Sequence, residues 1–125
     1  MARILVVDDE PLVRGFLRKC LERLGHEVVE LGDGKHASRT HAEHPVDLMI
    51  TDLFMPDRDG LQTIFELHQH CPELRIIAIS GGGTDSRFSG SEMLRVASRL
   101  GACKILEKPF GIKRLQDTVE DLLGS

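Results

Sequence analysis

The stretch LVVDDEPLV, residues 5–13, decides how the rest of the chain is read. An apolar run ends at Val7 against three adjacent carboxylates, Asp8, Asp9 and Glu10, and Pro11 follows. The run reads as a buried strand. Proline has no N–H to leave unpaired in a first helical turn, so Pro11 reads as the start of a helix. Carboxylates this close disfavour one another's ionisation. Many acidic clusters are solvated turns. This one closes a buried strand, where something positive belongs.

From Pro11, the residues Leu12, Val13, Phe16, Leu17, Cys20, Leu21 and Leu24 recur at helical spacing, and Gly25 suits the stop. The same alternation continues to the end of the chain. Ile4–Val7, Val28–Leu31, Leu48–Thr51, Leu74–Ile79 and Cys103–Leu106 read as strands. A polar helix is predicted over Asp33 to His44, ending before Pro45. Asp59 and Gln62 suit a capping box for a helix through Leu61, Ile64, Phe65 and Leu67. Ser89 and Glu92 suit a cap for a helix carrying Met93, Leu94, Ala97 and Leu100. Ile112 to Leu123 reads as a final amphipathic helix, and SGGGTDSRFSG, residues 80–90, as a loop. Five strand–helix units imply an α/β domain, with a mostly parallel sheet covered on both faces.

Composition supports one globular domain across residues 1–125. Apolar residues make up 41% and charged residues 29% of the chain. A formal net charge of -4 argues against direct binding of nucleic acid or an anionic membrane. No apolar run approaches membrane-spanning length, and the N-terminus lacks a signal-peptide pattern. The three cysteines, Cys20, Cys71 and Cys103, form no CxxC motif and suit unpaired thiols in a reducing cytoplasm. The histidines His41, His44, His68 and His70 lack a convincing third metal ligand and read as solvated helix residues. Gly81–Gly83 lacks the spacing of a nucleotide-binding loop and reads as a mobile connection.

In open parallel sheets, ligands bind at the carboxyl ends of the strands. Asp8 and Asp9 follow the first strand, Asp52 the third, Ser80 the fourth and Lys108 the fifth. Asp9 and Asp52 can share a hard cation such as Mg²⁺, which prefers carboxylate oxygens and water. The cation would offset their repulsion and neutralise an incoming phosphoryl group. One carboxylate can then attack as nucleophile and form an acyl phosphate. Lys108 and the Ser80 hydroxyl can hold the phosphoryl oxygens.

Three motifs carry a family resemblance. VVDDEP, residues 6–11, resembles the first-strand acidic motif of the receiver domains of bacterial two-component response regulators. DLFMPDRDG, residues 52–60, is similar to their phospho-acceptor motif, and GACKILEKPF, residues 101–110, to their fifth-strand Lys-Pro motif. The resemblance spans about Ala2 to Leu123. It implies the flavodoxin-like (βα)5 fold with strand order 2-1-3-4-5. It implies that Asp52 is phosphorylated, that Asp9 binds Mg²⁺ directly and Asp8 through water, and that the backbone carbonyl of Phe54 completes the protein ligands. Ser80 becomes the switch hydroxyl. Lys108 binds the phosphoryl group, with a cis bond to Pro109. The donor would be a phosphohistidine on a kinase or phosphotransfer protein, and the output partner is unspecified. Such a chain catalyses only its own phosphorylation and dephosphorylation.

Two positions depart from the family pattern. Ile105 stands where the family usually has Tyr or Phe, and the connection after Ser80 is longer. The expectation is that output runs through Ser80–Met93, with Ile105 a passive packing residue. Two rival functions fit the sequence less well. A haloacid-dehalogenase-type phosphatase needs Asp-x-Asp after its first strand, which DDEP does not offer. A phosphate-independent adaptor has no need of Asp8, Asp9, Asp52, Ser80 and Lys108 together.

Overall fold

The structure, a computed structural model, describes residues 1–53, 60–80 and 90–124, with side chains omitted at 90–94. Five strands, β1 (Arg3–Val7), β2 (Glu27–Leu31), β3 (Leu48–Asp52), β4 (Arg75–Ser80) and β5 (Lys104–Glu107), form one sheet in the order β2-β1-β3-β4-β5. Every neighbouring pair is parallel. The helices are α1 (Pro11–Arg23), α2 (Ala37–Glu43), α3 (Gly60–His70), α4 (Gly90–Leu100) and α5 (Ile112–Leu123).

The apolar runs are continuous because both faces of the sheet are buried. Ile4, Val6, Leu48, Ile50, Ile77 and Ile79 pack on one face with Leu17 and Leu21 of α1 and Leu115 and Val119 of α5. Leu5, Val7, Met49, Ile76 and Ala78 pack on the other with Ala37 of α2, Ile64 and Leu67 of α3, and Ala97 of α4. Successive strand residues point to opposite faces, so each strand feeds both clusters.

Local signals explain several element ends. Pro11 occupies the first turn of α1 as expected. That helix closes where Gly25, at φ +94°, takes the left-handed conformation that spares it a Cβ clash. Its N–H bonds the Glu22 carbonyl at 3.0 Å, and the His26 N–H bonds that of Leu21 at 3.1 Å.

The helix expected over Asp33–His44 is instead two pieces. Asp33 accepts a bond from the Lys35 N–H at 2.8 Å and opens a 3₁₀ turn over Gly34–His36, and α2 begins only at Ala37. Gly34 lies so close to Thr63 that an added Cβ would stand 1.8 Å from its Oγ1. A sequence pattern does not carry that contact. Strand limits move by a residue: β3 and β4 include Asp52 and Ser80, β4 starts after Leu74, and β5 starts after Cys103. Both proposed capping boxes depend on residues outside the described ones. Cys20 is buried, Cys71 half-buried and Cys103 exposed, all three unpaired.

Candidate functional site

Parallel pairing puts the carboxyl ends of β1, β3, β4 and β5 along one edge. Asp52 is the last residue of β3 and Ser80 the last of β4, and both are buried. Asp8 directly follows β1 and is wholly buried. Asp9 beside it is half-buried and Glu10 exposed. Lys108 directly follows β5, and its N–H donates to the Ser80 carbonyl at 2.8 Å, tying the ends of β4 and β5 together. The Lys108–Pro109 bond is cis.

The lysine side chain turns back across this edge. Its Nζ lies 3.6 Å from Asp52 Oδ2, 3.8 Å from Asp8 Oδ2 and 3.7 Å from Glu10 Oε1. One ammonium therefore faces three carboxylates. Ligand oxygens of Asp8, Asp9, Glu10 and Asp52 all lie within 4.8 Å of one another.

Asp8 is held at every polar atom but one. Its N–H donates to the Leu31 carbonyl at 3.1 Å and its carbonyl accepts from Arg14 Nη1 at 2.6 Å. Its Oδ1 accepts from the Glu10 N–H at 2.8 Å. Its Oδ2 is buried with no hydrogen-bond partner. Burial is the main reason that its carboxyl is pushed up to about 6, with the Asp52 charge adding to the rise; the Glu10 N–H and Lys108 oppose it. A buried carboxylate oxygen without a donor, in an all-oxygen cluster, fits a hard cation. The residues present therefore suit Mg²⁺.

Asp8, Asp9, Asp52, Ser80 and Lys108 thus converge at one edge, as their positions at the strand ends implied. Phe54, the expected carbonyl ligand, lies outside the described residues, as do residues 81–89. Glu10, named in the sequence with Asp8 and Asp9 but given no separate role, and Arg14, not singled out there, also take part. Glu10 joins the cluster as a further contact of Lys108, a role its place beside Asp9 hinted at. Arg14 reaches the acidic turn because helical side chains lean toward the helix N-terminus, one turn back.

A doubly wound parallel domain with a cluster of carboxylates and a facing lysine at its strand ends defines the class. The chain belongs to the response regulator receiver domain family, whose model matches residues 4–120. It is 40% identical over 124 residues to the DNA-binding transcriptional regulator NtrC of Azospirillum brasilense, spanning 99% of this chain and 24% of that protein. It is 32% identical to the response regulator receiver protein CpdR of Brucella abortus, covering 98% of both chains. The receiver domain of NtrX from Brucella abortus superposes with a TM-score of 0.88 at 32% identity, covering 98% of each chain. Among the described residues, no helix is long and apolar enough to cross a membrane.

Proposed function

We propose that this chain is a phosphorylation-operated switch whose acceptor is Asp52. The observation that carries the reading is the approach of Lys108 Nζ to 3.6 Å from Asp52 Oδ2, beside Asp8 Oδ2, which is buried without a hydrogen bond. Asp9 would hold Mg²⁺ directly, Asp8 through water, and Asp52 and the Phe54 carbonyl would complete the protein ligands. When bound, Mg²⁺ supplies charge neutralisation for the phosphoryl oxygens.

An Asp52 carboxylate oxygen attacks the phosphorus of a phosphohistidine. The new O–P bond forms as the P–N bond breaks, and its electron pair returns to the donor's imidazole ring. Lys108 offsets charge on the transferred oxygens, and the Ser80 hydroxyl donates to one of them. In dephosphorylation, water attacks the phosphorus, the O–P bond to Asp52 breaks, inorganic phosphate leaves with water's oxygen and a proton passes to solvent, and the Asp52 carboxylate is restored. No separate substrate is turned over.

Because Asp52 is recessed, a protein donor must cover the rim above it. That rim exposes Leu12 and Phe16 of α1, which line a groove with Val13, Lys108, Pro109 and Phe110. A kinase or histidine phosphotransfer protein in the cytoplasm is the inferred donor. Output to a protein partner is inferred to pass through residues 80–93.

Incubation with acetyl phosphate and Mg²⁺, followed by intact mass, tests the assignment. The wild-type protein should gain one phosphoryl group that base or hydroxylamine removes, and Asp52→Asn should gain none. An Asp52→Asn protein that still gains an acyl phosphate refutes it.

A further inference from the structure

The guanidinium of Arg14 connects two elements to the acidic turn. Its Nη1 donates to the Asp8 carbonyl at 2.6 Å, and its Nε lies 3.5 Å from Glu30 Oε1 on β2. Gly32, just beyond β2, leaves the space it occupies: a Cβ there would stand 3.4 Å from Nη1. Glu30 is held in turn by Arg18, whose Nη1 lies 2.5 Å from its other oxygen. The Asp8 carbonyl belongs to the peptide unit joining Asp8 to Asp9, and this unit is planar. Fixing its oxygen fixes the plane's rotation, and so the position from which the Asp9 side chain projects.

We infer that Arg14 is a positioning residue for the cation site, setting the Asp8–Asp9 peptide plane through its bond to the Asp8 carbonyl with Glu30 as its brace. This rests on the Mg²⁺ site proposed above. Groups that orient ligands in this way characteristically change metal affinity by tenfold or more when removed.

Charge alone predicts the opposite sign. Removing a cation near an acidic cluster leaves the cluster more negative and favours Mg²⁺ binding. Positioning predicts weaker binding despite that gain.

Calorimetric titration of the unphosphorylated protein with Mg²⁺ separates the two. Arg14→Ala should raise the Mg²⁺ Kd by about tenfold. Arg14→Lys should fall between Arg14→Ala and wild type, since an ammonium can reach the carbonyl but lacks the planar fork that also meets Glu30. Arg39→Gln, which loses an exposed charge paired with Glu43 on α2 and outside this network, should stay within about twofold of wild type. Urea unfolding in EDTA shows whether each variant folds, and the charge-conserving Arg14→Lys carries the test if Arg14→Ala does not fold. A Kd that is unchanged or tighter in folded Arg14 variants overturns the inference, as does equal weakening in Arg39→Gln. Wild-type protein that binds no Mg²⁺ overturns both this inference and the switch itself.

Discussion

Asp8 shows how one side chain can trade stability for ligand binding. Its carboxyl titrates near 6 in the folded protein, against 3.8 for a free aspartate. Below about pH 4 both folded and unfolded states keep the proton, and the group carries no penalty. As pH rises toward 6 and beyond, the unfolded chain gives up the proton readily, while the folded state must ionise a buried oxygen without a donor. The folded state is therefore destabilised progressively between about pH 4 and 6, by at most about 3 kcal/mol above that range. Asp8→Asn keeps an oxygen able to accept the Glu10 N–H bond and removes the charge. In EDTA, it should be more stable than wild type at about pH 7.5, and the gap should shrink at about pH 5. Mg²⁺ selects the ionised carboxylate, so adding it should stabilise wild type and do little for Asp8→Asn. Urea unfolding at the two pH values, with and without Mg²⁺, measures all four quantities. Parallel pH curves for the two proteins in EDTA would mean that Asp8 is not the strained group.

At the scale of elements, the contact between β3 and α3 sets Asp52 in place. Gly60, the first residue of α3, donates its N–H to the Leu53 carbonyl at 3.0 Å. A Cβ on Gly60 would stand 2.0 Å from the Asp52 carbonyl oxygen and 2.8 Å from Leu53 Cα. The helix start therefore rests on the end of the strand main chain to main chain, and neither side has a flexible group that can yield. Gly60→Ala must push α3 away from the main chain of Asp52 and Leu53. The expected loss is about 1–3 kcal/mol of stability, the range for inserting atoms into a packed site. The urea midpoint should fall, and acetyl phosphate should label Asp52 more slowly. An unaltered midpoint and labelling rate would show that the helix shifts without disturbing the strand. The Asp-Gly pair was visible in DLFMPDRDG, but its reason was not. The clash is with a main chain seven and eight residues earlier, and only the folded register brings the two together. The break between the 3₁₀ turn at Gly34 and α2 was hidden for the same reason, since Gly34 meets Thr63 across the fold.

Across the whole molecule, sequence patterns exposed what repeats and concealed what depends on side-chain reach. Strands buried on both faces leave unbroken apolar runs, and polar residues where those runs end show up as a site: Asp8, Asp52, Ser80 and Lys108. The bond from Arg14 to a main-chain oxygen one turn back leaves no such mark. The same distinction bears on how a signal leaves the site. Lys108 and Ser80 are joined through the main chain at 2.8 Å, so the ends of β4 and β5 are held together there. Ile105 lies opposite Ala78 in the ladder, partly buried against the core beneath α2, α3 and α4. It is β-branched and stiff at χ1, with neither a ring to swing nor a hydroxyl to donate. In the proposed switch, a phosphoryl group at Asp52 would act on the Ser80 hydroxyl, and the residues following Ser80 would be the next to respond. A two-state switch biased in this way should show its largest changes there. Backbone NMR with Mg²⁺, with and without beryllofluoride as a phosphoryl mimic, should give the largest amide shifts between residues 80 and 93, with smaller ones at Ile105 and along α5. An unmoved 80–93 segment, with shifts concentrated at Ile105 and α5, would place the output path on β5 and α5 instead.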